Sequence, residues 1–191
     1  MNEKKPLQGS EIEELVIKSQ CGNSEAFGKL YDIFIDSIYR YIYYRVNQGE
    51  AEDLTELVFL KTWENINQYK FDQKNFSSWI FRIAHNVVID FYRAHRQDEE
   101  LVETLHDERI EADTTNRAHR SLDNRILSES IGKLKDAYRQ VLILKYINDF
   151  SNEEIAQITG RSQAALRILQ FRALKHLRRI LEDRGISQDE V

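Results

Sequence analysis

Apolar residues in the first half of the chain recur every three or four positions, which predicts amphipathic helices. Ile12, Leu15 and Val16, with Ser19, mark a short first helix that breaks at Gly22-Asn23. Phe27, Leu30, Tyr31, Phe34, Ile38, Ile42 and Val46 hold one stripe through a second. It is expected to end near Asn47-Gln48-Gly49, where glycine is a good stop. A third helix is predicted over residues 50–66, with Leu54, Leu57, Val58, Leu60 and Trp63 available for a core. Residues 67–77 lose the period and read as a loop. The stretch FSSWIFRIAHNVVIDFYRAHR, residues 76–96, then divides into two faces. Ile80, Ala84, Val87 and Phe91 lie on one, with Ile83 and Val88 at its edges. Trp79, Arg82, Asn86, Asp90 and Arg93 lie on the other, a set that packing alone does not require.

Residues 97–122 carry little apolar content and read as a linker. Beyond them Ile126, Leu127, Ile131 and Leu134 predict one helix, and Tyr138, Val141, Leu142, Leu144 and Lys145 another. The stretch 151–179 is locally explicit. Ser151 and Glu154 have the spacing of a capping box, and Phe150 and Ile155 that of a hydrophobic staple. Gly160 suits a tight turn and Ser162 a second N-cap. Leu166, Leu169, Ala173, Leu177 and Ile180 form the inner face of the helix that follows. Small Ala156 before the turn and Leu166 after it fit a helix-turn-helix. The expected fold is all-α. It has a helical domain over 11–96, an acidic linker over 97–122 and a second domain over 123–184, with tails at 1–10 and 185–191.

Composition supports helix, since 191 residues hold one proline and seven glycines. The single Cys21 excludes an internal disulfide framework and is expected to pack in a helix. No apolar run approaches the ~20 residues of a membrane span, and the N-terminus lacks the apolar segment of a secretory signal, so a soluble cytoplasmic protein is expected. The net charge of −5 hides a segregation. Residues 97–115 hold eight acids against Arg109, whereas 161–184 hold seven bases against Glu182 and Asp183. Sign asymmetry of this kind is a functional hint where the total is not.

In a helix-turn-helix the N-terminal turns of the second helix enter the major groove and its basic residues meet phosphate. Gln163, Arg167, Phe171, Lys175 and Arg178 occupy that outer face. Ala164, Ala165 and Ile168 are poor hydrogen-bonding readers of base edges, which leaves room for shape readout. Catalytic readings fail. The five histidines show no metal-ligand spacing, no glycine-rich phosphate loop occurs, and Cys21 has no nearby histidine in sequence. No metal, cofactor or enzymatic activity is expected.

The blocks AFGKLYDIF, AEDLTELVFLKTWENI and FSSWIFRIAHNVVIDFYRAHR, followed by LKDAYRQVLILKYINDFSNEEIAQITGRS, resemble regions two and four of bacterial RNA polymerase sigma factors of the small, extracytoplasmic-function type. The resemblance spans about 11–179. It implies promoter recognition and strand opening with core RNA polymerase and promoter DNA as partners, and an anti-sigma factor as a candidate third. It implies a polymerase-binding face at Glu52, Asp53, Glu56 and Phe59. It implies minus-ten recognition by Trp79, Arg82, Asn86, Arg93 and Arg96, with Lys70, Phe71 and Phe76 in the loop before them. It implies minus-thirty-five binding by Arg161, Ser162, Gln163, Arg167, Phe171, Arg172, Lys175 and Arg178. The acidic linker would lie in a polymerase channel meant for nucleic acid. The chain departs from the family in two places. Lys135 replaces its usual proline, and Ala164-Ala165-Leu166-Arg167-Ile168-Leu169 replaces its usual Gly-Thr-Val-Lys-Ser-Arg. A stand-alone helix-turn-helix regulator with an N-terminal dimerisation or sensing domain is the alternative.

Overall fold

The computed structural model describes residues 9–46, 48–71, 75–99 and 126–184, and those residues form helices and no strand. Helix α1 spans Gly9–Gln20. Gly22 then takes a φ of 84°, and the Asn23 side chain accepts from the Ala26 N–H to start α2, Ser24–Tyr43. The second stripe is inward as expected, with Leu30, Phe34, Ile38, Ile42 and Val46 buried. The chain turns after Tyr43, and Gly49 lies in the first turn of α3, Gln48–Asn65, rather than ending α2. Cys21 is exposed in the turn after α1, not packed in a helix.

The inner face of α3 differs from the expected one. Ala51, Leu54, Thr55, Val58, Phe59 and Thr62 are buried, while Leu57, Leu60 and Trp63 are exposed. The two threonines fit a core because each hydroxyl donates back to its own helix, Thr55 to Ala51 O at 2.6 Å and Thr62 to Val58 O at 2.7 Å. A short 3-10 turn, Ile66–Gln68, follows, and α4 runs Phe76–Glu99, three residues past the expected end. Asn75 caps it, accepting from the Ser78 N–H at 2.7 Å. Residues 100–125, most of the expected linker, lie outside the described residues.

The second half has a helical segment α5 at 126–132, α6 at Asp136–Leu142 passing into a π-helical turn Ile143–Ile147, α7 at Asn152–Thr159 and α8 at Gln163–Glu182. It packs against the first half mainly where α7 meets α4. Phe150 and Phe81 place their rings 4.6 Å apart there, and the Asn75 amide donates to Glu154 at 2.6 Å. Asn148 donates to the Ser37 carbonyl at 3.1 Å. At the centre of the seam Arg45 is fully buried and its Nη1 donates to the Tyr41 hydroxyl at 2.6 Å.

Candidate nucleic-acid interface

Each half presents one exposed face that carries the residues expected to meet nucleic acid. In α4 the apolar face is buried through Ile80, Phe81, Ala84, Val87 and Val88. That leaves Arg82, Asn86, Asp90 and Arg93 exposed at spacings of three and four. Arg93 is held 3.6 Å from Asp90, an exposed pair that holds its side chain only loosely. Trp79 is half-buried, in a ring cluster with Tyr69 and Phe76, each centroid 5.5 Å away. Tyr69 and Phe76 lie inside the fold, so Phe76 leaves the expected DNA-contacting set and becomes a support beneath it. Phe71, 40% exposed and 5.0 Å from the Tyr69 ring, is the open edge of the cluster, and Lys70 beside it is exposed. The side chain of Arg96 lies outside the described residues, as does Lys74.

His85 lies between this face and the seam. Its Nδ1 accepts from the Gln140 amide at 2.6 Å and lies 3.5 Å from Arg45 Nη1. Two donors on one nitrogen require a lone pair there, so the ring is neutral with its proton on Nε2. Burial, then the Arg45 charge, lowers its pKa to about 4.

In the second half the capping and turn expectations of the helix-turn-helix are met. Ser151 and Glu154 form a reciprocal capping box, Gly160 takes a φ of 71°, and Ser162 caps α8 by accepting from the Ala165 N–H. Ile155 and Leu166 are fully buried and seal the crossing. Gln170 of α8 donates to Asn152 of α7 at 2.8 Å and fixes the angle between them. Arg161, Ser162, Gln163, Arg167, Phe171, Arg172, Lys175 and Arg178 are all exposed, and Arg178 pairs with Glu182 at 2.6 Å.

On α3 the structure removes one residue from the expected polymerase face and exposes three apolar ones beside it. Glu52, Asp53 and Glu56 are exposed, but Phe59 is 5% exposed and packs its ring at a tilt against Tyr31, with centroids 4.5 Å apart. Its place in the exposed patch is taken by Leu57, Leu60 and Trp63. Helical spacing from Glu56 reaches Leu60 and Trp63 once Thr55 and Thr62 are counted as core.

These surfaces define an all-helical DNA-binding protein of the helix-turn-helix class. The Sigma-70 region 2 family model matches residues 30–97, and that of Sigma-70, region 4 matches 124–177. The ECF RNA polymerase sigma factor SigW of Bacillus subtilis is 33% identical over 186 residues, covering 89% of this chain and 99% of that protein. The ECF sigma factor BldN of Streptomyces coelicolor is 34% identical over 173 residues, covering 89% of this chain and 66% of that protein. The sigma factor RpoE of Bartonella quintana, solved in complex with the anti-sigma factor NepR, shares the fold at a TM-score of 0.74 and 20% identity, over 82% of this chain and 96% of that one. The chain belongs to the ECF RNA polymerase sigma factors. No described helix is long and apolar enough to cross a membrane.

Proposed function

We propose that residues 11–96 and 123–184 act as two separate readers of a bipartite promoter, and that the first also docks core RNA polymerase. The observation that carries this is the exposed polar face of α4, where Arg82, Asn86 and Arg93 stand over a buried apolar face and beside an aromatic cluster open at Phe71. Separated strands are held by rings that stack bases and cations that track backbone. A base flipped from the stack costs a few kcal/mol, which Phe71, Trp79 and Lys70 are placed to offset. Asn86 both donates and accepts, so it reads an unpaired base edge. α8 takes the upstream duplex, and Glu52, Asp53, Glu56, Leu60 and Trp63 make the polymerase contact.

RpoE of Bartonella quintana is solved with the anti-sigma factor NepR, and an anti-sigma factor is the candidate regulator of this chain as well. The protein acts in the cytoplasm as a binding subunit without catalytic chemistry of its own.

The test compares Asn86→Ala and Arg93→Ala on duplex and pre-melted promoter. Arg93→Ala weakens both templates. Asn86→Ala loses discrimination at one minus-ten base even when the strands are already apart. Wild-type behaviour of both variants on both templates would remove α4 from the reading.

A further inference from the structure

The outer face of α8 has an apolar ridge where a groove-reading helix ordinarily carries hydrogen-bonding groups. Ala164, Ile168 and Phe171 follow one another at spacings of four and three, opposite the buried Leu166 and Ala173. Ile168 is 55% and Phe171 71% exposed, so neither serves the core. Arg167 and Arg178 flank the ridge on one side, Arg172 and Arg179 on the other, and Glu182 is the only acid in α8. Cations on both sides of an apolar line match a helix seated between two phosphate walls. The major groove, about 12 Å wide, admits a helix of that girth.

The floor of the groove decides what an apolar ridge selects. Pressed against the amino and carbonyl edges of guanine, cytosine or adenine, it would strip their water and return no hydrogen bond. Thymine alone offers a methyl group there. We infer that Ile168, flanked by Ala164 and Phe171, determines upstream promoter specificity by packing against thymine methyl groups. This rests on the reading of α8 as a major-groove helix.

The test uses the full chain bound to core RNA polymerase. An upstream element is first selected from a randomised duplex. Each thymidine in the selected site is then replaced by deoxyuridine, which keeps every hydrogen-bonding group and lacks only the methyl. The expected result is a three- to fourfold loss of affinity, about that of one buried methyl, at one or two thymidines. Ile168→Ala, folded because the site is exposed, then binds the thymidine and deoxyuridine forms alike at its position. A selected site without thymidine, or one indifferent to deoxyuridine, overturns the inference and leaves the promoter-reading function standing. An Ile168→Ala chain that keeps the full deoxyuridine penalty also overturns it, and loss of a protein partner by that variant would assign the ridge to the partner. Failure of the holoenzyme to select any upstream sequence overturns both readings.

Discussion

Nη2 of Arg45 donates to both carboxylate oxygens of Asp136, at 2.8 and 3.1 Å, across the seam between the two halves of the chain. The arginine side chain is wholly buried, while that of Asp136 is 46% exposed. The seam is poorly satisfied around the pair. Nε of Arg45, Nε of Arg139 and Oδ1 of Asn148 are buried without a hydrogen-bond partner. A buried charge among unpaired polar atoms adds little stability, so this end of the seam is its weak part, while Phe81 and Phe150 pack at the other.

Asp136→Ala is therefore expected to separate the halves rather than unfold them. The unpaired guanidinium costs about 3–5 kcal/mol if it stays buried and little once it is solvated. Small-angle scattering should show a larger radius for the variant with unchanged helical circular dichroism. An unchanged radius would mean that the seam stands without the ion pair.

Engagement with a promoter should open the same seam. Elements about 25 base pairs apart are about 85 Å apart along the duplex, whereas a packed chain of this length has a radius of gyration near ~16 Å. Dyes on the native Cys21 and on Asp183→Cys, both exposed, should lose energy transfer when core polymerase and promoter are added. Constant transfer would contradict two-element recognition by one chain.

The seam should also weaken in acid. The pKa of His85 is lowered from 6.5 to about 4 in the folded chain, so the open or unfolded chain binds the extra proton between those values. Its neutral-state contribution is complete above about pH 6.5 and is lost as pH falls toward 4. Protonation sets a cation against Arg45, with Arg161 and Arg82 adding repulsion and Asp136 opposing it. His85→Gln should flatten the stability profile over that interval, and a profile as steep as wild type would place the titration elsewhere.

Phe59 and Leu60 adjoin in sequence and should behave oppositely. Phe59→Ala empties a packed site against Tyr31 and should cost about 3–5 kcal/mol in a melting experiment. Leu60→Ala, on a side chain 54% exposed, should melt near wild type and bind core polymerase more weakly. The reverse outcome would restore Phe59 to the polymerase face.

The legible parts of the chain were those with local physics. The capping box at Ser151, the αL turn at Gly160 and the inner stripes of α2 and α8 follow from residues within a turn of one another. The inner face of α3 is hidden in the sequence because Thr55 and Thr62 look polar, although each satisfies its hydroxyl on its own helix. The resemblance puts Phe76 with the loop residues that meet DNA, yet the Asn75 cap starts the helix there and its ring is buried. Arg45 at the seam was invisible. Its partner stands ninety-one positions away, and no periodicity joins an arginine to an aspartate across two domains.

Run-off transcription with purified core RNA polymerase, over a template library randomised at both promoter elements, tests the central claim most directly. The account predicts transcripts only when the full chain is present, from templates that share two separated motifs. Arg167→Ala should alter the upstream motif and Asn86→Ala the downstream one. Sequence-selective binding of the chain to DNA without polymerase, together with no polymerase-dependent transcript from any template, would contradict it and favour a stand-alone regulator.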